Sequence, residues 1–288
     1  MEGIVTVLKP PGMSSSDAVV DVRRIFETKR VGHLGTLDPE AAGVLPVCVG
    51  RAVRLFDYLI DKQKTYLCEI VFGIATDTQD AQGAVIERRD CDIDADALDA
   101  ALPAFLGRTV QTPPMYSALK YNGRKLYELA LEGKEIPDKS REIEIASLER
   151  TRTLGKNRFL LRVTCSRGTY IRTLCSDIGA ALGVPAHMAF LLRESSGMFT
   201  LDGAYSIAEL EALKAEGRLE TALTGCEQAL SHLPRLDLRA DRKKPAMNGL
   251  PTRINAPDGL YRLYCTTFLG IGAVQDGDAV LKVHLYGE

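Results

Sequence analysis

Asp38 is the residue in this chain whose surroundings best suit it to chemistry. It stands between glycine-bearing stretches and directly before Pro39, in the sequence GHLGTLDPEAAGVLP at residues 32–46. Glycine lets a backbone turn tightly and approach a ligand, and proline fixes the direction in which the chain leaves. The apolar run at 43–49 predicts a buried strand directly after this loop. The pattern indicates a carboxylate held at a site, although an aspartate before proline most often only forms a turn.

The elements that would position this loop follow from hydrophobic spacing. Alternating or short apolar runs predict strands at 4–8, 43–49, 64–72, 142–151, 158–165, 188–192, 259–264, 268–274 and 279–284. Helical spacing predicts helices at 52–60, 94–106, 124–131, 168–182, 207–215 and 239–247, and another from a serine cap at 14–16 to residue 26. The mixed order, without a strand–helix–strand rhythm, predicts an α+β fold. Its sheet should be mixed, mostly antiparallel and flanked by helices.

The chain divides into two predicted domains. Residues 1–230 contain most of the predicted helices and strands and would form the larger domain. Residues 234–288 contain short strands between Gly and Asp turns, which predict a small β-rich domain.

Charge is distributed unevenly along a chain whose net charge is −2. Residues 106–175 contain 14 Lys and Arg against 7 Asp and Glu, and residues 230–288 contain 8 against 6. Residues 76–105 and 176–229 are acidic, with 2 basic against 8 acidic and 3 basic against 8 acidic residues. Binding of a polyanion needs a local basic surface rather than a basic protein. The basic segments predict such a surface, with an ordinary solvated face as the alternative.

Several classes of protein are disfavoured by composition. The seven cysteines include no CxxC pair and the four histidines are scattered, so neither a metal site nor a disulfide framework is expected. The N-terminus has no signal-peptide pattern and no apolar stretch is long enough to span a bilayer. A cytoplasmic protein without a membrane partner is expected.

Five ordered segments carry a resemblance to a known family. The sequence at 32–46 contains every fixed letter of the motif G-H-x-G-x-L-D-P-x-A-x-G-V-L-P, which is typical of the TruB-type tRNA pseudouridine synthases. Further segments resemble motifs of the same family: KPPGMSS at 9–15, KTY at 64–66 with DTQDAQG at 77–83, QTPPMYSALK at 111–120, and CSRGTYIRTL at 165–174. The chain is identified as a member of this family. Residues 234–288 resemble, more weakly, the family's RNA-binding PUA domain.

The resemblance implies a fold, an activity and a partner. It implies a pseudouridine-synthase core followed by a PUA-like domain, and isomerisation of uridine 55 in the T-loop of tRNA to pseudouridine. This isomerisation transfers no electrons and carries no group, so neither a cofactor nor a metal is expected. The expected partner is the T-stem-loop of tRNA, bound by a monomer.

The resemblance also implies site residues. The catalytic residues would be Asp38, as nucleophile or base near the ribose, Tyr66, stacked on the flipped base, and Arg172, paired with Asp38. The substrate-binding residues would be His33, Lys9, Leu191, Tyr170 and Lys64. Candidates for phosphate contacts in the basic segments are Lys120, Arg124, Lys125, Arg141, Arg242, Lys243 and Lys244.

Glu40 departs from the family pattern. It lies two residues from Asp38, and a second carboxylate in the pocket would make Asp38 harder to ionise. We therefore expect Glu40 to point away from the site.

Two alternatives stay open at this point. The first is an RNA-binding chaperone that folds tRNA without turnover. It would need the basic surface, but it would not need an aspartate, a tyrosine and an arginine in the register of the motifs. The second is a synthase of the same chemistry that acts on another RNA.

Overall fold

The strands define two sheets and two short hairpins. The computed structural model describes residues 1–60, 63–114, 120–121, 124–125 and 140–285. Within these residues the strands are β1 (Gly3–Lys9), β2 (Val31–His33), β3 (Ala42–Val49), β4 (Lys64–Phe72), β5 (Ile74–Thr76), β6 (Val85–Arg88), β7 (Gly107–Gln111), β8 (Lys120–Tyr121), β9 (Arg124–Lys125), β10 (Arg141–Gly155), β11 (Arg158–Cys165), β12 (Ala186–Ser196), β13 (Phe199–Thr200), β14 (Leu223–Thr224), β15 (Arg235–Asp237), β16 (Thr252–Arg253), β17 (Gly259–Cys265), β18 (Thr267–Gln275) and β19 (Asp278–His284).

The helices are short. The α-helices in the described part of the chain are α1 (Ser15–Ile25), α2 (Phe56–Leu59), α3 (Ala95–Ala101), α4 (Ile171–Ala181), α5 (Ile207–Ala215), α6 (Cys226–Ala229) and α7 (Lys243–Met247). Turns of 3₁₀ helix cover Gly50–Leu55, Leu102–Phe105, Leu201–Gly203, Leu219–Ala222 and Ala240–Arg242. None of the helices in these ranges combines the length and apolar character that crossing a bilayer requires.

The main sheet is mixed and almost wholly antiparallel. Its strands follow the order β14-β1-β3-β12-β4-β11-β10-β7, with β2 beside β3 and β13 beside β12. Among these described strands the single parallel pair is β3 with β12, where Arg193 lies opposite Gly43. The predicted α+β fold is confirmed. The parallel pair matters because it joins the strand after the Asp38 loop to the strand that carries Leu191 and Arg193.

One face of the main sheet forms the larger core. Apolar residues of β1, β3, β4, β11 and β12 pack there against α1, α4 and α5. Helix α1 begins as the serine cap predicts, because the Ser14 side chain accepts from the backbone N–H of Asp17 and the Asp17 carboxylate accepts from that of Ser14. This core fixes the ends of the strands and helices from which the candidate site residues project.

The second sheet has the order β15-β17-β18-β19-β16. Its Tyr264, Phe268 and Ile271 share an apolar cluster with Ile4 and Val44 of the main sheet. The strands of this sheet are joined to the main sheet by a buried apolar contact. The division into domains at 1–230 and 234–288 stays a prediction.

Several element predictions need correction. Residues Arg124–Lys125 are a strand paired with Lys120–Tyr121, not the start of a helix, and 126–131 lie outside the described residues. Helix α4 begins at Ile171 rather than at Gly168, whose φ of +89° is not helical. Strand β12 extends beyond the predicted 188–192 at both ends. The β5–β6 hairpin and β7 have exposed residues on most positions, so hydrophobic spacing gave no signal for them.

Candidate active site

A cavity of about 320 Å³ lies beside Asp38. Its wall is built from the loop after β2, the end of α2, the start of β4, strand β12 and the residues that lead into α4. The predicted catalytic and substrate-binding residues found in this wall are Asp38, Tyr66, Arg172, His33, Leu191, Tyr170 and Lys64. Segments far apart in sequence therefore meet at one cavity.

Asp38 lies within ion-pair distance of Arg172. Its Oδ2 is 3.1 Å from Arg172 Nε, and the Arg172 side chain is 6% exposed while that of Asp38 is 42% exposed. Asp80 adds a second carboxylate, with its Oδ2 3.3 Å from Arg172 Nη1, which also donates to the Thr78 carbonyl oxygen at 3.2 Å. A buried guanidinium needs such acceptors. Arg172 is thus fixed by Asp80 and Thr78 on one side and presents its charge to Asp38 on the other.

The position of Arg172 depends on how α4 begins. Tyr170 is the N-cap residue of α4 but supplies no side-chain cap. The buried amide of Gln111 contacts its backbone instead: Oε1 accepts from the Tyr170 N–H at 2.7 Å and Nε2 donates to the Tyr170 C=O at 3.0 Å. Gln111 is the last residue of β7, so the main sheet sets the direction in which α4 starts.

Lys9, predicted as a substrate-binding residue, is not among the residues that line the cavity. Its side chain is fully buried, and Nζ donates to the carbonyl oxygens of Pro10, Met13 and Pro39 at 2.9, 2.6 and 2.8 Å. Burial lowers the pKa of Lys9 to about 8. Because Nζ binds the carbonyl oxygen of Pro39 together with those of Pro10 and Met13, Lys9 ties the residue after Asp38 to the turn that follows β1.

Ser15 holds the residue before Asp38. Its hydroxyl donates to the Leu37 carbonyl at 2.9 Å and accepts from the Leu37 N–H at 2.8 Å. Ser15 was predicted only as a possible helix cap, a role that Ser14 fills. The start of α1 therefore anchors the loop at the peptide unit next to the carboxylate.

Arg193 anchors the two ends of the loop. It is fully buried and donates from Nε to Val44 O at 2.7 Å, from Nη2 to Gly35 O at 3.1 Å and from Nη1 to Thr36 O at 3.4 Å. Gly43 permits the close approach: a Cβ there would lie 2.3 Å from the Arg193 carbonyl oxygen. Sequence reasoning missed Arg193, whose only signal is a charged residue inside an apolar strand.

Tyr66 and His33 are both held in uncharged forms by burial. Tyr66 is 8% exposed, and burial raises the pKa of its phenol. Burial, with a smaller contribution from the nearby Arg193 charge, lowers the pKa of His33. His33 Nδ1 is buried and has no hydrogen-bond partner in the described part of the chain. At neutral pH the cavity therefore presents a neutral phenol and a neutral imidazole beside Asp38.

Glu40 is exposed and contributes nothing to the cavity wall, in agreement with the expectation that it points away. Lys64 is buried and donates from Nζ to the Ile60 carbonyl at 3.1 Å. Leu191 is 8% exposed and supplies an apolar part of the wall.

The predicted phosphate-contacting residues fall into four groups. Lys120, Arg124 and Lys125 form the β8–β9 pairing through their backbones, and their side chains lie outside the described residues. Arg242 is engaged within the protein, donating to Pro251 O at 2.8 Å and to Thr252 Oγ1 at 3.2 Å. Lys243 and Lys244 are exposed and line an open groove beside α7 and the start of β18, whereas Arg141 lines the cavity.

Asp80 and Gln111 are further residues whose roles the sequence did not reveal. Each lies within a segment that matched a family motif, in 77–83 and 111–120 respectively. The motif marked the segment but not the contact, because the contact depends on where α4 packs. Within the described residues no group of three or more His, Cys, Asp or Glu side chains is placed to hold a metal ion.

Comparison with solved structures identifies the fold. The chain aligns with a chain in the structure of an H/ACA RNP bound to a substrate RNA containing 2'-deoxyuridine, with a TM-score of 0.75 and 22% identity over 99% of this chain and 85% of that one. It aligns with the crystal structure of the archaeal box H/ACA sRNP Nop10–Cbf5 complex at a TM-score of 0.70 and 25% identity, over 94% and 78% of the two chains. Together with the carboxylate–arginine cavity, this fold defines the class of pseudouridine synthases.

Sequence comparison then gives the family. Residues 23–171 match the N-terminal domain of TruB family pseudouridylate synthases, and residues 172–231 match the C-terminal domain of tRNA pseudouridylate synthase B. The tRNA pseudouridine synthase B of Bacillus pumilus is 46% identical over 255 residues, and that of Bacillus subtilis is 43% identical over 255 residues. Each alignment covers 86% of this chain and 82% of the relative. The chain belongs to the TruB family of pseudouridylate synthases.

Proposed function

We propose that this protein converts uridine 55 in the T-loop of tRNA to pseudouridine, with Asp38 as the catalytic carboxylate. The observation that carries the assignment of Asp38 is its pairing with the buried Arg172 at the wall of a cavity large enough for a base. Relatives named tRNA pseudouridine synthase B supply the choice of tRNA as substrate. Cytoplasm, where tRNA is found, is the expected location.

The reaction exchanges one bond to the ribose for another. The C1'–N1 bond of the uridine breaks, the uracil turns over, and a C1'–C5 bond forms. C5 then loses its proton and N1 carries one, so no electrons enter or leave. A carboxylate near the ribose can serve as nucleophile at the sugar or as base there, and both require Asp38 ionised. Arg172 Nε lies within ion-pair distance of that carboxylate.

Tyr66 and the apolar wall are assigned to the base. Extrusion of a nucleotide from its stack costs a few kcal/mol, and stacking on an aromatic ring recovers part of that cost. Tyr66 supplies the ring, Leu191 a flat apolar wall, and His33 fills the space that the extruded base leaves in the RNA. Because the phenol of Tyr66 stays protonated, its hydroxyl can also take part in moving the C5 proton.

RNA binding is assigned to charge that is concentrated in a few places. Among the described residues the cavity wall contains the cations Lys64, Arg141, Arg167, Arg172 and Arg193 against the carboxylate of Asp38. Lys243 and Lys244 provide a second basic position on helix α7, in the groove beside the second sheet. We assign residues 234–288 to a PUA-like domain that binds tRNA and residues 1–230 to the catalytic domain, and we expect a monomer to act.

The test uses an unmodified tRNA transcript. Wild-type protein and Asp38→Asn are incubated with it, and pseudouridine is mapped by carbodiimide-dependent reverse-transcription stops. We expect modification at position 55 with wild type, and binding without product for Asp38→Asn, which keeps the shape but loses the nucleophile. Refolding of tRNA by both proteins without any product would favour the chaperone. A product only at other positions or in another RNA would favour a different substrate.

A further inference from the structure

Arg141 is held rigidly at the wall of the cavity. Its guanidinium carbon lies 4.7 Å from the centre of the Tyr170 ring, and its Nη2 donates to the carbonyl oxygen of Gly168. Gly168 has a φ of +89°, and a Cβ at that position would lie 2.9 Å from Arg141 Cζ. The guanidinium is therefore fixed between the turn that precedes α4 and the aromatic ring that begins it.

The fixed guanidinium has bonding capacity that the protein does not use. Arg141 Nε is buried and finds no acceptor in the described residues. No described carboxylate lies within ion-pair distance of Arg141 either, whereas Arg172 has Asp38 and Asp80. A buried N–H without an acceptor, next to an unbalanced charge, is unfavourable until a ligand supplies an anionic oxygen.

Other cations in the wall are already committed, Arg172 to two carboxylates and Lys64 to the Ile60 carbonyl oxygen. Arg193 donates to the carbonyl oxygens of Gly35, Thr36 and Val44. An anion that enters the cavity therefore finds unused donor capacity at Arg141. Planar guanidinium groups match the oxygen pairs of phosphates well.

We propose that Arg141 binds one of the two phosphates that flank the target uridine, and that this contact holds the nucleotide while its base occupies the cavity. The proposal rests on the proposed function and deepens it. It also narrows the expectation from sequence, which named Arg141 only as one of several candidates for phosphate contacts. A contact inside the cavity acts on the extruded nucleotide, so it should contribute to kcat/KM through a single phosphate.

The experiment pairs changes in the protein with changes in the RNA. T-stem-loop RNAs carry one uncharged methylphosphonate at the phosphate 5' of the target uridine, at the phosphate 3' of it, or in the distal stem. Wild type, Arg141→Met and Arg141→Lys are compared by kcat/KM. Kd values are measured with Asp38→Asn present in each protein, so that no turnover occurs. Arg152→Met is the matched control, because Arg152 is exposed on the same strand β10 and does not line the cavity.

For wild type we expect one flanking methylphosphonate to lower kcat/KM about tenfold, the loss typical of one charge-assisted hydrogen bond. Arg141→Met should show a similar loss with unmodified RNA and little further loss with that methylphosphonate. Arg141→Lys should recover part of the activity, and Arg152→Met should behave as wild type. If Arg141 only supported α4, its replacement would lower kcat/KM by the same factor for all the RNAs. The proposal would also be overturned if Arg141→Met lost as much kcat/KM as wild type does at each of the two flanking methylphosphonates. Absence of product with every protein would refute the proposed function, while the Kd comparison would still decide the role of Arg141.

Discussion

Arg193 is the residue on which the position of the Asp38 loop depends most. Its three donors reach carbonyl oxygens before and after Asp38 along the chain, and none of them is exposed to solvent. Because the guanidinium is enclosed by protein, its contribution to the reaction is the placement of Asp38 rather than contact with RNA. Arg193 therefore positions the loop, whereas Arg141 is proposed to bind RNA, although both residues line the cavity.

Replacement of Arg193 by Met should remove the donor to the carbonyl oxygens of Gly35, Thr36 and Val44, of which Val44 is a buried residue. A buried carbonyl left unpaired costs about 1–3 kcal/mol, so we expect a lower Tm and a large loss of kcat with little change in KM for RNA. Arg193→Lys should restore part of the Tm and part of the kcat. Arg162→Met, which removes an ion pair to Glu194 from a residue that is 43% exposed, is the control and should change stability by less than about 1 kcal/mol. A rise in KM without a fall in kcat would contradict the positioning role.

His33 gives the site a defined response to acid. Burial lowers its pKa below the ordinary value of 6.5, so the unfolded chain takes up a proton at a higher pH than the folded protein does. The stability that depends on neutral His33 is complete above pH 6.5 and is lost as the pH falls through the folded-state pKa. The slope in that window is at most about 1.4 kcal/mol per pH unit for one group.

Replacement of His33 by Asn should therefore flatten the acid side of the stability profile. We expect urea unfolding of wild type to lose more free energy between pH 7.5 and pH 5 than unfolding of His33→Asn does. Equal losses in the two proteins would mean that His33 does not carry the effect.

At the scale of elements, hydrophobic spacing predicted the strands at 64–72 and 158–165 and the helix at 207–215 with the bounds that the structure has. These elements contribute alternating or periodic apolar faces to the larger core, so burial and sequence pattern agree. The β5–β6 hairpin and β7 were missed because backbone pairing rather than an apolar face defines them. The late start of α4 was missed because Gln111, which is distant in sequence, caps it.

The parallel pairing of β3 with β12 provides the next test, through Gly43. A Cβ at Gly43 would lie 2.3 Å from Arg193 O and 2.8 Å from Arg193 N, and its φ is +111°. Gly43→Ala should therefore push the two strands apart and lower both Tm and kcat. Gly183→Ala is the matched control, since φ there is +73° but nothing lies within 4 Å of an added Cβ. Gly183→Ala should lower the free energy of unfolding by about 1 kcal/mol, the value for backbone strain alone. An equal loss for Gly43→Ala would show that the close approach of the two strands is unimportant.

At the scale of the whole molecule, the sequence identified site residues only through the resemblance to a family. The contacts that hold those residues in place could not be predicted and are seen only in the fold. Asp38, Tyr66 and Arg172 meet at one cavity, whereas Lys9 lies outside its wall and donates to the Pro39 carbonyl oxygen. A motif records which residues are needed. It does not distinguish a group that faces the cavity from one that holds the backbone behind it, because both sit in the same segment.

The contact between the two sheets also decides how RNA binding should be tested. Deletion of residues 234–288 would expose Ile4, Val44 and their apolar neighbours, so a truncated protein would report lost stability as well as lost binding. Point replacements in the groove beside α7 avoid this problem. Lys243 and Lys244 are exposed there, and no ion pair holds either side chain in the described part of the protein.

We expect Lys243→Gln combined with Lys244→Gln to raise KM for tRNA and to leave kcat unchanged, since the groove does not include the cavity around Asp38. If each lysine contacts one phosphate, the log–log slope of binding against salt concentration should become shallower by about 1.4–1.8 in total. Lys282→Gln is the control, because Lys282 is exposed on β19 of the same sheet but lies outside the groove. It removes one positive charge from the same sheet, so a change in slope about half as large as that of the double variant would point to net charge. An unchanged slope in the double variant would remove the groove from the RNA-binding surface and leave the cavity wall, with Arg141 at its mouth, as the main basic contact.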